Sequence, residues 1–381
     1  MPIVVLVTSP LVSKPVIIAH RGVPEKHLEH SWNSYRAGIE QGADYIEPDV
    51  LATKDGHLIV RHENEIGHTT DIAERREFTS LKTTKVVDGV ELEGWFSEDL
   101  TLDQIKSLKT RERIPEIRPR NASLRGDTIL TFDEVLQIQA AENNERGPDQ
   151  DPIGVYVETK HPTYFANAGL DLNDLLLASL ERFNLNRADA PIIIQSMETA
   201  NLRRFSHTTD LPLVQLLEWS GAPADFVANA DPRTYRDLAE PEGLDFIAEY
   251  AHGVGAHKRH VIGRDQKQRW TGETQFVEHA HARGLAVHVW TLRSENKFLP
   301  RNLRRGRKEF RHGDALAEHL AYFDAGVDGV FTDITSTAVA APGPGGGPPA
   351  TGKKPPPRRG RGASRRKPTP GAKTPRTRGA R

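Results

Sequence analysis

The chain has 381 residues, 37% of them apolar and 27% charged, with 51 Lys and Arg against 52 Asp and Glu and no cysteine. That apolar share supports a core in one large domain or two ordinary ones, while the missing cysteines exclude a disulfide framework, a thiolate metal site and a cysteine nucleophile. The near-balance of charge hides an asymmetry: residues 341–381 hold twelve Lys and Arg and no acid, so residues 1–340 carry 39 bases against 52 acids.

The opening "MPIVVLVTSPLVSKP" has a short apolar run without a basic leader or a small-residue cleavage site, so residues 1–14 read as an extension and not as a secretion signal. A cytoplasmic chain is expected on that ground, or a secreted or cell-envelope one if the start codon is misassigned. No stretch approaches the roughly 20 apolar residues of a membrane span. "PVIIAH" (15–20) reads as a buried strand. "SWNSYRAGIEQG" (31–42) reads as a short helix with Trp32, Tyr35 and Ile39 on one side and Gly42 as its stop. "DYIEPDV" (44–50) and "LIVRH" (58–62) read as strands joined at Asp55-Gly56, a strong hairpin turn, although Pro48 cannot donate to a ladder.

Residues 68–130 are charged and lack clear alternation, with one helical stretch at 101–109. A stronger helix follows at 131–142. Strands are then expected at 153–160, 191–196, 211–218, 244–251 ("LDFIAEYA"), 285–292 and 328–334, with helices between most of them, as at 171–183 and 313–326. Apolar runs alternating with helices argue for a parallel sheet. About eight βα units in 320 residues fit an α/β (β/α)8 barrel, or TIM barrel, at 15–340, with a small inserted subdomain (about 68–130) after the second barrel strand. A doubly wound open sheet is the rival architecture. From 341 to 381 the Pro, Gly, Lys and Arg composition cannot offset ordering entropy, so a disordered basic tail is expected. Its charge suits nucleic acid or another anionic surface, but no aromatic residue interleaves it for base stacking.

Barrel chemistry sits at the C-terminal ends of the strands, and the polar residues of this sequence fall there. His20 and Arg21 end the first strand, Glu47 and Asp49 lie late in the second, and His62 ends the hairpin return. Glu158 and Lys160 end "VYVETK"; Gln195, Trp290 and Asp333 end later strands. Glu47 and Asp49 are one residue apart, so in a strand they share a face about 6–7 Å apart and repel. Three carboxylates without a thiol suit a hard divalent cation, Ca²⁺ or Mg²⁺. Such an ion offsets the repulsion, and Arg21 and Lys160 add charge for a phosphate. Two histidines beside them offer a general base and a general acid.

The series "IIAHRG", "LEHSWNSYRAGIEQGADYIEPDVLATKDGHLIVRHE", "VYVETKHP", "PIIIQS", "VHVWT" and "DGVFTDI" resembles the glycerophosphodiester phosphodiesterases over about residues 15–335, and the long segment after "HTTDIA" resembles their larger bacterial members. The resemblance implies a metal-dependent (β/α)8 barrel that hydrolyses small-molecule glycerophosphodiesters to sn-glycerol 3-phosphate and an alcohol. Carried over residue by residue, it makes His20 and His62 the catalytic pair and Glu47, Asp49 and Glu158 the metal ligands. It makes Arg21 a phosphate contact, Lys160 a second one, and Glu29 a supporting residue behind the ligands. The position of Gln195 suggests the same supporting role. Trp290 either packs beneath the barrel mouth or borders the glycerol or alcohol moiety. Three local departures stand out: "LEHS" puts His30 where the family has Asn, "EPD" replaces E-L-D, and "HEN" puts Glu63 where the family has Asp. His27, His30, His68 and His252 read as surface or loop residues. Of Arg111, Arg113, Arg118 and Arg120 in the inserted region, one or two could reach over the barrel mouth. Other phosphodiesters, such as a lysophospholipid or a teichoic-acid-like polymer, and a catalytically silent binding barrel remain as alternative readings.

Overall fold

The computed structural model describes residues 15–147 and 150–341; the expected N-terminal extension and basic tail lie outside the described residues. Eight parallel strands close into a barrel. In chain order they are Val16–His20, a second strand split into Tyr45–Glu47 and Asp49–Ala52, then Gly154–Thr159, Ile192–Ser196, Leu213–Leu217, Gly253–His257, Ala286–Leu292 and Gly329–Thr332. The closure is direct, because the first strand pairs with both the second and the last, Val16 opposite Gly329 and His20 opposite Glu47. Closure excludes the open doubly wound sheet.

Pro48 explains the split in the second strand. It has no N–H to donate, so the ladder breaks there, yet its carbonyl still accepts from the Glu158 N–H at 2.9 Å. Both halves stay in the barrel: Tyr45 and Ile46 pair with Gly154 and Val155, and Asp49 pairs with Glu158. The antiparallel return Leu58–Val60 pairs with Asp49–Ala52. Asp55-Gly56 turns between them, Gly56 taking a positive φ of 77° that a glycine adopts without strain.

Strand alternation divides the core. Ile17, Ile46, Val155 and Ile194 face the helix layer, whereas Ile18, Tyr156, Val214 and Phe331 fill the barrel interior. Helices between successive strands, including Trp32–Glu40, Phe132–Arg146, Leu172–Arg182 and Ala315–Asp324, cover the outside. In the first of these Tyr35 and Ile39 are buried as expected, but Trp32 is 43% exposed at its first position.

One expected element is corrected. Residues 244–251 are not a strand; Pro241–Ala248 is a helix that starts on proline and buries Gly243, Leu244 and Ile247 at helical spacing. The sixth strand is instead Gly253–His257, "GVGAH". A Cβ on Gly253 would lie 2.9 Å from the Ala286 carbonyl oxygen, and one on Gly255 2.4 Å from the Leu216 side chain. The strand is short of apolar side chains because its neighbours occupy that space, so its hydrophobic signal is weak.

Residues 61–131 hold a hairpin, Thr83–Val87 with Val90–Gly94, and a short helix, Leu102–Ser107. Ile66, Ile72, Phe78, Leu100 and Ile105 of this segment join the same apolar cluster as the barrel. The segment is thus anchored beside the mouth.

Candidate active site

At the C-terminal end of the barrel lies a cavity of about 430 Å³, into which His20, Arg21, Glu47, His62, Glu158, Lys160, Gln195 and Trp290 all reach. Its floor is acidic. Glu47, Asp49 and Glu158 are buried and each offers a carboxylate oxygen within 4.8 Å of the others. At that separation an ionised pair repels by about 3–4 kcal/mol at an effective dielectric near 20, so the bare triad cannot hold three full charges. Burial and the neighbouring Asp49 push the Glu47 carboxyl well up. Burial, partly opposed by Lys160, raises Glu158 to about 7. Asp49 moves the other way: burial opposes its ionisation, but Lys160, Arg21 and a hydrogen bond from His30 outweigh it and hold the group well below the usual carboxylate range. Asp49 Oδ1 is buried with no hydrogen-bond partner among the described residues. An orphaned carboxylate oxygen among three convergent acids fits a hard cation of the Ca²⁺ or Mg²⁺ kind.

Cationic side chains frame this floor. Arg21 follows the first strand at φ 56°, and this left-handed turn lets its N–H donate to Glu47 Oε2 at 2.9 Å. Left-handed backbone in a non-glycine costs on the order of 1 kcal/mol and tends to occur at functional sites. The Arg21 guanidinium lies 3.2 Å from Asp49 and 3.0 Å from Glu29. Lys160 donates to Glu158 at 2.7 Å and to His62 Nε2 at 3.1 Å. Gln195 donates to the remaining Glu47 oxygen at 3.2 Å. Trp290 donates its indole N–H to the Gly255 carbonyl at 2.7 Å and meets His257 edge-on, so it borders the cavity partly exposed.

The two histidines have different carboxylate partners. His20 Nδ1–H donates to Asp333 at 2.7 Å, and Asp333 also receives Arg118 at 2.5 Å and Arg293 at 2.9 Å. Burial, with the adjacent Arg21 charge, lowers His20 to about 4. His62 Nδ1–H donates to Glu63 at 2.6 Å, and Glu63 is paired with Arg113 at 2.6 Å. Burial, Arg21 and Lys160 lower His62 well below its ordinary value.

Four further residues make contacts around the site. His30 is not a surface residue: it is 1% exposed, accepts from the Tyr35 hydroxyl at 2.7 Å and donates to Asp49 at 2.9 Å. Its signal was its place two residues before a helix that also carries Tyr35. Arg113 and Arg118 both reach the mouth from the inserted segment, Arg113 joining Glu29 to Glu63 and Arg118 bridging Asp333 and Glu295. Arg111 instead pairs with Glu74 at the surface. Asp333, at the end of the last strand, is the hydrogen-bond partner of His20. His68 and His252 are exposed and His27 is partly exposed.

The sequence model of the Glycerophosphoryl diester phosphodiesterase family matches residues 20–337. The glycerophosphodiester phosphodiesterase GDPD6 of Arabidopsis thaliana is 31% identical over 338 residues, 85% of each chain. The Haemophilus influenzae glycerophosphodiester phosphodiesterase is 26% identical over 350 residues, covering 86% of this chain and 89% of its own. The solved structure of a glycerophosphoryl diester phosphodiesterase from Silicibacter pomeroyi shares the fold, with a TM-score of 0.58 at 20% identity over 86% of this chain and 92% of that one. An Oleispira antarctica phosphodiesterase, solved with the product sn-glycerol-3-phosphate, does so with a TM-score of 0.53 at 18% identity over 86% and 96%.

Proposed function

The chain belongs to the glycerophosphoryl diester phosphodiesterase family, and from that premise we propose how its own residues carry out glycerophosphodiester hydrolysis, a reaction that requires a divalent metal. The observation that carries the reading is the convergence of Glu47, Asp49 and Glu158 within 4.8 Å, in a cavity that both histidines line. Those three side chains would hold the ion. When bound, it would supply Lewis-acid polarisation of a phosphoryl oxygen and offset the triad's repulsion.

Arg21 and Lys160 bind the phosphodiester's remaining oxygens and stabilise charge that grows there in the transition state. Glu29 keeps Arg21 aligned, and Gln195 fixes the Glu47 carboxylate. His20 is the general base. Its Nδ1 proton is committed to Asp333, which leaves Nε2 unprotonated to take a proton from the attacking water, and a group lowered to about 4 is neutral at pH 7. His62 is the acid. An incoming phosphate competes for Lys160 and so frees His62 Nε2, and its negative charge favours the imidazolium that protonates the leaving alkoxide. The P–O bond to the alcohol breaks, giving sn-glycerol 3-phosphate and the free alcohol, with Trp290 alongside the departing group.

The test is release of sn-glycerol 3-phosphate from glycerophosphocholine and glycerophosphoglycerol, with chelator and then with Ca²⁺ or Mg²⁺ restored separately. Chelator-sensitive release supports the assignment, and the ion that restores it is the cofactor. Hydrolysis that ignores the chelator, or that survives His20→Ala, removes it. Inclusion of a lysophospholipid in the panel decides between that substrate and the soluble diesters. Residues 15–340 are proposed as the catalytic unit, with about 68–130 as the insertion over its mouth. Residues 1–14 and 341–381 are proposed to lie outside catalysis, with the tail available to anionic surfaces.

A further inference from the structure

Across the mouth from the carboxylate triad, the cavity has a second wall. Lys258 and Arg259 follow the sixth barrel strand, Arg293 and Lys297 follow the seventh, and Arg264 comes from the short strand Ile262–Arg264; all five line the cavity. Strands two and three, which carry the triad, stand opposite strands six and seven in the closed order of the barrel. The acids and this basic wall therefore face each other.

The wall is under-neutralised. Glu318, fully buried, is shared between Lys258 at 3.0 Å and Arg264 at 3.2 Å, one carboxylate for two cations. Asp333 is divided among Arg293, Arg118 and His20. Arg259 donates to Gln268, a neutral amide. Among the described residues Lys297 pairs with Glu116 alone, at 3.8 Å. Glu218 also lines the cavity, with one oxygen taken by the Trp219 N–H. The Arg264 side chain is 5% exposed, yet its Nε has no hydrogen-bond partner. Burial and mutual repulsion act together on these groups: Lys258 is lowered to about 8 by burial and by Arg264, and Arg259 and Arg293 shift in the same direction. A purely structural role for the buried members, Lys258 and Arg264, would bring a second carboxylate, because an uncompensated buried cation is strongly destabilising; half-buried Arg259 and exposed Lys297 add further cationic charge to the same wall.

We propose that this wall is a second anion subsite, and that the preferred glycerophosphodiesters carry a further phosphate on the alcohol that is released. The inference rests on the hydrolytic reading above and names its substrate class. Arg293 joins the two subsites, since it shares Asp333 with His20 and stacks over Phe298 at 4.5 Å. Phe298 and Trp290 flank the path that a short carbon linker would take between the two phosphates. Water adds to phosphorus, the P–O bond to the linker breaks, and the alkoxide takes a proton. The products are sn-glycerol 3-phosphate and an alcohol that keeps its own phosphate.

Two substrates test this with the full-length protein: glycerophosphoglycerol, and the same diester with a phosphate on its terminal hydroxyl. The expected result is a kcat/KM at least about tenfold higher for the phosphorylated diester at low salt, with the gap closing as salt is added. The double variant Arg259→Gln with Lys297→Gln should bring the ratio to within about twofold of one. Equal kcat/KM for both diesters in the wild type, or a ratio the double variant leaves intact, overturns the subsite while sparing the hydrolytic reading. If neither diester is hydrolysed, that reading fails first, and calorimetry then tests the subsite alone. Glycerol 1,3-bisphosphate has the same three-carbon spacing between phosphates and should bind at least about tenfold more tightly than sn-glycerol 3-phosphate. The double variant should lose the difference, and equal affinities in the wild type overturn the subsite.

Discussion

His20 and His62 stand on opposite sides of one acidic floor, and their surroundings could hardly differ more. The His20 side chain is 10% exposed and its Asp333 partner 1%, with Asp333 clamped by Arg118 and Arg293. The His62 side chain is 27% exposed and Glu63 35%, with a single partly exposed arginine, Arg113, behind them. A buried carboxylate clamped by two guanidiniums stays ionised, and Asp333 is held well below its ordinary range against burial by Arg293, Arg118 and His20. It fixes one tautomer of His20 and does not let go. The Glu63 side is partly open to water, where the same contact is more screened and the imidazole can exchange a proton. The contrast suits the proposed roles, His20 as a fixed base and His62 as an acid that is reprotonated in every cycle.

The largest effect that could break this contrast comes from removing either ring. His20→Ala and His62→Ala should each lower kcat by about three powers of ten or more, since positioned acid–base groups contribute about 10²–10⁴-fold. Near-wild-type turnover in one of them would strip that residue of its role. The two variants should also fail differently. On a substrate with a good leaving group, such as a p-nitrophenyl diester, His62→Ala should recover much of its loss and His20→Ala should not. The reverse pattern would exchange acid and base.

Next in size is the carboxylate behind the base. Asp333→Asn keeps the shape but offers Nδ1 a donor, which drives the proton onto Nε2 and blocks the base. A fall in kcat of about two powers of ten is expected, with KM changing far less. A loss confined to KM would mean that Asp333 acts only by supporting Arg293.

The floor between the histidines gives a smaller effect with a defined sign. Glu158 is raised from its ordinary 4.5 to about 7 before any cation binds. Between those values the folded protein holds a proton that the unfolded chain releases, so this group's contribution to stability falls as pH rises from 4.5 to 7, by up to about 3 kcal/mol. A cation must displace that proton, so Glu158 alone should make its apparent affinity rise by up to about tenfold per pH unit below 7, and the raised Glu47 steepens the rise further. Correspondingly, the increase in Tm on adding the ion should grow from pH 5 to pH 7. An increase independent of pH would show that the ion does not engage Glu158.

Much of this was legible in the sequence, for identifiable reasons. Seven of the eight barrel strands have apolar runs bounded by turn residues, and their polar C-terminal residues announce themselves. The sixth did not, because Gly253 and Gly255 leave room for Ala286 and Leu216 and carry no side chain of their own. Beside it, "LDFIAEYA" has a strand's composition, and only Pro241 with the 3–4 spacing of its buried residues marks a helix. The carboxylate triad could be found because its members end adjacent strands. Arg113 and Arg118 could not be singled out from their neighbours, since what defines them is contact across long separations: Arg118 meets residues 295 and 333. Charge in an irregular segment reads as solvated until the fold shows what it faces.

The smallest effect sharpens the comparison most. Glu63→Gln removes the charge behind His62 but leaves an acceptor oxygen for Nδ1–H, and a half-exposed pair of this kind contributes about 1 kcal/mol or less. It should lower kcat by no more than about fivefold, against about a hundredfold for Asp333→Asn, although each is one carboxylate hydrogen-bonded to one histidine. Arg113→Gln should follow Glu63→Gln, because Arg113 reaches His62 only through Glu63, while its second contact, with Glu29, holds Arg21 at 3.0 Å and adds a modest rise in KM. The two carboxamide variants measured side by side therefore read burial directly as catalytic weight. If Glu63→Gln proved as damaging as Asp333→Asn, exposure would not separate the two sides, and His62 would have to be as rigidly held during turnover as His20.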